Sequence, residues 1–259
     1  MLNPFKKKTT PAADAAQGEP SHRPLDLGSH TSLAKTARVS LQKAGLDGLR
    51  ACVYLVLDRS YSMNGYYSSG AVQYLAEQAL GLAVNLDDDG VVPVVFFDDK
   101  SYPVTEVAVA NRTGVIDREH RGLGGERTMG GTRYEKAIGT VVDHYRAYQG
   151  SGGTDPAVVI FQTDGHPQGP AAATTALAAA SKLPIFWSFV SFGPGPVDYL
   201  RQLDTMTGRA VDNASYWHAG FDPQRQVSTD TTYDQALYNH LVAEIPAWLT
   251  AARAAGVIA

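Results

Sequence analysis

The string Asp58-Arg59-Ser60-Tyr61-Ser62 places a carboxylate and two hydroxyls at alternate positions, directly after the apolar run Ala51–Leu57. Three hard oxygen donors spaced two residues apart at the end of a buried strand are what a small divalent cation requires. A turn aims alternate side chains at one point, which a continuing helix cannot do. Two later segments offer further oxygens. Gly130-Gly131-Thr132 opens a helical pattern with a hydroxyl, and Thr163-Asp164-Gly165-His166 follows another apolar run with a second carboxylate. Asp58, Ser60, Ser62, Thr132 and Asp164 together suit Mg²⁺ or Mn²⁺, which take octahedral oxygen shells and retain some waters. With few charges in the shell, the ion stays electrophilic and keeps one position open for an outside ligand.

Four of the five donors also have a plain structural reading. Thr132 suits a helix N-cap, Asp164 before Gly165 suits a turn, and Ser60 and Ser62 suit an ordinary turn. Arg59, Tyr61, Asn64, Tyr66, Tyr67 and His166 would rim such a site. Exposed aromatics and arginines anchor interfaces, so these residues are expected to face a partner; the alternative is a loop folded back on itself.

The elements that must position these residues follow from hydrophobic periodicity. Continuous apolar runs predict strands over Ala51–Leu57, Val91–Phe97, Ala157–Thr163 and Pro184–Ser191, with a last strand over Arg209–Tyr216. Alternation over Ser101–Val109 predicts an antiparallel edge strand. Helical spacing predicts Ser32–Ala44, Ser69–Leu86, Thr132–Tyr148, Pro170–Ser181, Pro196–Met206 and Asp234–Ala255, the last bent at Pro246. Arg121–Gly131 reads as a glycine-rich loop, and glycine flexibility over Gly122–Gly131 leads to the expectation that it shifts on ligand binding. Strands alternating with helices predict an α/β, Rossmann-like, doubly wound sheet, mostly parallel, with one antiparallel edge strand and helices on both faces. Residues 1–30, punctuated by four prolines and poor in large apolar groups, predict a disordered tail; residues 31–259 predict one domain.

Composition narrows the function. The 259 residues carry a net charge of −4, and the only basic block is Lys6-Lys7-Lys8, which argues against nucleic acid as the main partner. The single cysteine, Cys52, lies inside an apolar run and has no partner for an internal disulfide. No apolar run approaches membrane-spanning length, and no apolar core follows the N-terminal lysines, so a cytoplasmic protein is expected. The sequence specifies no oligomeric state.

Asp58-x-Ser60-x-Ser62, Thr132 and Thr163-Asp164-Gly165 resemble the metal-ion-dependent adhesion site of von Willebrand factor A (vWA) domains, over roughly Ala51 to Tyr216. The resemblance implies that Ser60, Ser62 and Thr132 ligate the ion directly, that Asp58 and Asp164 act directly or through water, and that a partner's Asp or Glu completes the shell. Many members of that family have Gly where this chain has Tyr61. The phrases Val53-Tyr54-Leu55-Val56-Leu57-Asp58-Arg59-Ser60, Val92-Pro93-Val94-Val95-Phe96-Phe97 and Leu183-Pro184-Ile185-Phe186-Trp187 resemble bacterial vWA proteins associated with tellurite and stress resistance. A metal-dependent protein-binding module is therefore expected, not an enzyme. One alternative is a Mg²⁺-dependent phosphohydrolase using Asp58 as nucleophile. Against it, haloacid-dehalogenase-like enzymes want a second Asp where Ser60 stands, and no P-loop, G-x-G-x-x-G or G-x-S-x-G occurs. The other alternative is a scaffold with a vestigial metal site.

Overall fold

The structure, a computed structural model, describes residues 27–220 and 231–258. Helix α1 (Leu27–Lys43) leads into β1 (Cys52–Asp58), a single 3-10 turn at Tyr61–Met63, and helices α2 (Asn64–Ser68) and α3 (Ala71–Leu86). Strands β2 (Val92–Phe97) and β3 (Thr105–Val107) follow, then α4 (Val115–Gly122), a second 3-10 turn at Gly125–Thr128, and α5 (Tyr134–Gly150). The chain continues through β4 (Ala157–Thr163), α6 (Pro170–Ala180), β5 (Ile185–Ser191), α7 (Asp198–Thr205), β6 (Ala214–His218), α8 (Thr231–Ala243) and α9 (Ile245–Ala254). The strands form one sheet in the order β3-β2-β1-β4-β5-β6, parallel throughout except for the antiparallel β2–β3 edge pair.

Alternation along each strand builds two cores. Val53, Leu55 and Leu57 of β1, with Val158 and Ile160 of β4, face α1, α3, α8 and α9 through Leu41, Leu75, Leu82, Leu241 and Trp248. Tyr54 and Val56 of β1, with Val159 and Phe161 of β4, face α5, α6 and α7 through Tyr134, Ile138, Leu177 and Leu200. Both faces of β1 and β4 are thus covered, which is why their sequences read as unbroken apolar runs. Each fully buried leucine contributes about 2–5 kcal/mol against truncation to alanine, so the framework holds the strand ends rigidly.

Sheet order matters most for function. From β1 the chain passes to β2 on one side, and β4 then pairs on the other side of β1. The crossovers diverge there and leave a crevice outside the carboxyl ends of β1 and β4, where open α/β sheets bind ligands.

Several boundaries differ from expectation. The expected tail falls, over residues 1–26, outside the described residues, whereas α1 already begins at Leu27. The edge strand shrinks from Ser101–Val109 to Thr105–Val107, because Pro103 lacks the N–H that pairing requires. The last strand moves from Arg209–Tyr216 to Ala214–His218, since Arg209 is tied back to the Asp204 and Met206 carbonyls. The C-terminal helix breaks at Glu244 into α8 and α9, as Pro246 at a helix start dictates. Helix α4 was not foreseen; it borders the segment read as a glycine-rich loop.

Candidate metal site at the sheet switch point

Asp58 ends β1, and its carboxylate is bound on both sides. Oδ1 accepts the Ser60 backbone N–H at 2.6 Å, and Oδ2 accepts the Thr163 hydroxyl at 2.5 Å from the end of β4. Ser60 Oγ lies 3.2 Å from Ser62 Oγ, and the Ser62 hydroxyl donates to Asp164 Oδ1 at 2.8 Å. Asp58, Ser60, Ser62 and Asp164 therefore form one continuous oxygen-rich chain across the crevice.

The Thr132 segment is stitched to the same place by backbone. Ser60 and Gly130 form an isolated parallel bridge, and Tyr61 N–H donates to Gly130 O at 3.1 Å. Gln168 N–H donates to Thr132 O at 2.8 Å, joining the second loop to the third. Glycine leaves room for neighbouring side chains here: a Cβ at Gly130 would lie 2.5 Å from Asp99 Oδ2 and one at Gly131 2.4 Å from the Gln168 amide, so those side chains would have to shift. Helix α5 begins at Tyr134 with Arg133 at its cap and no side-chain cap bond. The N-cap explanation of Thr132 thus fails, and its hydroxyl has no capping duty.

Electrostatics set the site apart. Asp58 is fully buried, and burial, with a smaller push from the Asp164 charge, raises its carboxyl to about 7 despite the opposing bonds from Thr163 and Ser60. Burial also raises Asp164, against the Ser62 hydrogen bond. Among the described residues no Arg, Lys or His forms an ion pair with either carboxylate. Two neighbouring acids without a cation are costly to ionise. Neither is there, among the described residues, a group of three or more His, Cys, Asp or Glu arranged to hold a metal. A cation here would take two carboxylates and complete its shell with hydroxyls and water, a set that fits a hard ion such as Mg²⁺ and not a soft one.

The expected rim is partly corrected. Tyr61 is 73% exposed, Ser62 and His166 are exposed, and Asn64 is half-buried. Arg59, Tyr66 and Tyr67 do not face a partner, because the loop folds back through α2. Tyr66 packs on Phe192 at 5.3 Å. Tyr67 donates its hydroxyl to Asp58 O at 3.0 Å and stacks on His120 at 4.2 Å. Arg59 is 0% exposed and turns to Asp98 Oδ2 at 2.9 Å, the Tyr102 hydroxyl at 2.6 Å and His120 Nδ1 at 3.3 Å. Burial next to the Arg59 and Arg121 charges pushes His120 down to about 4, so it accepts as a neutral ring. Sequence reasoning read Thr163 only as part of the third loop, without its bond to Asp58, and missed Asp98, His120 and Thr128 as supporting residues.

Among the described residues, no helix is long and apolar enough to cross a membrane. The chain is 31% identical over 224 residues to the uncharacterized protein YcbR of Bacillus subtilis (strain 168), covering 86% of this chain and 88% of that one. Among solved structures it is similar to a von Willebrand factor type A protein from Catenulispora acidiphila at 14% identity and a TM-score of 0.49, covering 76% of this chain and 42% of that one. Proximal thread matrix protein 1 from the mussel byssus is similar at 15% identity and a TM-score of 0.44, covering 75% of this chain and 47% of that one. This chain therefore spans less than half the length of those solved proteins. Residues 50–258 match the vWA-TerF-like family, described as the vWA domain found in the TerF C terminus. With that match over most of its length and a doubly wound, mostly parallel sheet, the chain belongs to the vWA-TerF-like family.

Proposed function

We propose that this vWA domain is a metal-dependent protein-binding module. Mg²⁺, or Mn²⁺ in its place, is held by Asp58, Ser60, Ser62, Thr132 and Asp164, and the open position captures an Asp or Glu side chain of a protein partner. The observation that carries the reading is the pair of cation-free carboxylates, Asp58 fully buried and Asp164 half-buried, linked through Ser60 and Ser62 at the switch point of the sheet. A divalent ion would neutralise the pair, and hydroxyl donors would leave it electrophilic enough to bind an incoming carboxylate. Exposed Tyr61 beside that position supplies an aromatic contact for the partner.

Binding without turnover is part of the proposal. Asp58 is fully buried and both of its oxygens are engaged, a poor state for a nucleophile. The resemblance to tellurite- and stress-resistance vWA proteins, together with the TerF-type family match, supports a cytoplasmic role in such a system. The test is a pull-down with the full chain as bait in Mg²⁺ and in chelator, run beside Ser62→Ala. Proteins retained only by wild type, and only with metal, are expected. A partner held equally in chelator would sink the reading.

A further inference from the structure

Arg59 stands between two oxygen donors, yet its side chain runs away from them into the interior. Its guanidinium reaches three separate segments. Nη1 donates to Asp98 Oδ2 (2.9 Å) and the Tyr102 hydroxyl (2.6 Å) after β2, and Nε donates to His120 Nδ1 (3.3 Å) in α4. Nη2 donates to Gly125 O (3.1 Å) and Thr128 Oγ1 (2.8 Å) in the turn after α4. The backbone of the same loop meets Gly130 through Ser60 and Tyr61. The stretch from Gly125 to Gly130 is thus pinned to the first oxygen loop at both ends, by the Arg59 side chain at one and by the bridge at the other. Thr132 lies two residues beyond the second pin.

We infer that Arg59 is a positioning residue, a strut that sets Thr132 at a fixed distance from Asp58, Ser60 and Ser62. Besides Arg59, the Gly125–Gly130 stretch is held by the Thr128 hydroxyl, which donates to Leu123 O at 2.7 Å, and by Met129 packed against the core; its 3-10 turn buries no side chain. Arginine suits the task because a planar fork with five donors reaches acceptors on several sides at once, which a lysine ammonium does not. Acceptance by His120 Nδ1 requires the neutral imidazole, and the ring's low proton affinity provides it. Asp98 offsets the arginine charge, so the strut is electrically closed and contributes no cation to the metal crevice. The strut anchors the Gly125–Gly130 part of the glycine-rich loop.

The inference rests on the proposed metal site for one of its two readouts, and the test separates them. Two variants are compared with wild type as full chains: Arg59→Lys, and Thr128→Val at an exposed position whose loss leaves the core untouched. Hydrogen exchange without metal reads the strut itself. Amides of Gly124–Gly131 should exchange roughly tenfold faster in Thr128→Val and faster still in Arg59→Lys, while β4 amides keep wild-type protection. Mn²⁺ titration reads its consequence: affinity should fall severalfold in Thr128→Val. Thr128→Val also removes the turn's own bond to Leu123 O, so Arg59→Lys decides: unchanged exchange of that segment in Arg59→Lys would overturn the inference, as would a loosened segment with wild-type Mn²⁺ affinity. Should wild type take up no Mn²⁺, the metal reading fails, and the exchange result alone decides the strut.

Discussion

Replacing Asp58 with Asn should make the metal-free protein more stable, although it removes a residue at the heart of the site. Burial raises the Asp58 carboxyl from 3.8 to about 7. A folded-state value above the unfolded one means that the folded protein holds the proton more tightly, so ionisation above pH 7 costs stability. The cost fades as pH falls through 7 towards 3.8. A rise of roughly three units corresponds to ~4 kcal/mol as an upper bound. The amide is isosteric. Its oxygen can keep the Ser60 N–H bond, and its NH₂ can donate to Thr163 Oγ1, whose own hydrogen then turns to the Gly165 carbonyl. A net gain of about 2–4 kcal/mol near pH 8 is expected, on the order of 5–10 °C in Tm. Thermal melts of wild type and Asp58→Asn in chelator, stepped in pH, provide the assay. The gap should be widest above about pH 8 and close towards pH 4. Adding Mg²⁺ should raise wild type alone, by about 2.7 kcal/mol at a hundredfold excess over Kd. A variant no more stable than wild type near pH 8 would refute the argument, because Asp58 would then not be an uncompensated buried charge.

The other predictions can be checked in the same preparations. Metal affinity should drop about tenfold per pH unit below 7, with proton release on binding, because Asp58 must ionise to ligate; titration in buffers of different ionisation heat measures both. His120 acts with the opposite sign to Asp58: its folded value of about 4 lies below 6.5, so its contribution is complete above pH 6.5 and is lost as pH falls to 4, on the order of 3 kcal/mol. The Asp58 and His120 contributions should therefore largely cancel between those values in wild type, whereas Asp58→Asn, keeping only the His120 contribution, should lose stability relative to wild type as pH falls. Tyr61→Ala should leave stability and Mn²⁺ affinity unchanged within ~0.5 kcal/mol and weaken partner binding by more than ~1 kcal/mol, read by calorimetry with the captured partner.

The sheet was legible because β1, β2, β4 and β5 are covered on both faces, and such strands have no choice but to be apolar throughout. The positions of Asp58, Ser60, Ser62 and Asp164 were legible for a related reason: in an α/β sheet the loop after a strand has one destination, the carboxyl edge. Side-chain direction within those loops was not legible. Arg59 sits between Asp58 and Ser60 and reads as exposed, but its partners Asp98, His120 and Thr128 lie between 39 and 69 residues away. Tyr66 and Tyr67 read as rim aromatics until the short helix α2 turns them towards Phe192 and His120. Helix α4 escaped notice because only Val115, Ile116 and His120 point inward, too few to print a helical period. Thr132 carried two readings, metal ligand and helix N-cap; α5 takes Arg133 as its cap, and the bridge from Ser60 to Gly130 ties the Thr132 segment to the first oxygen loop.

The central claim is tested most directly by calorimetric titration of Mn²⁺ into metal-free wild type and Asp58→Asn near pH 8, above the Asp58 value. Acetate present in the cell stands in for the partner's carboxylate. The account predicts one saturable site in wild type, displaced by Mg²⁺, tightened by acetate and absent from the variant. Equal heats in both proteins, or none from wild type even with acetate, would contradict it.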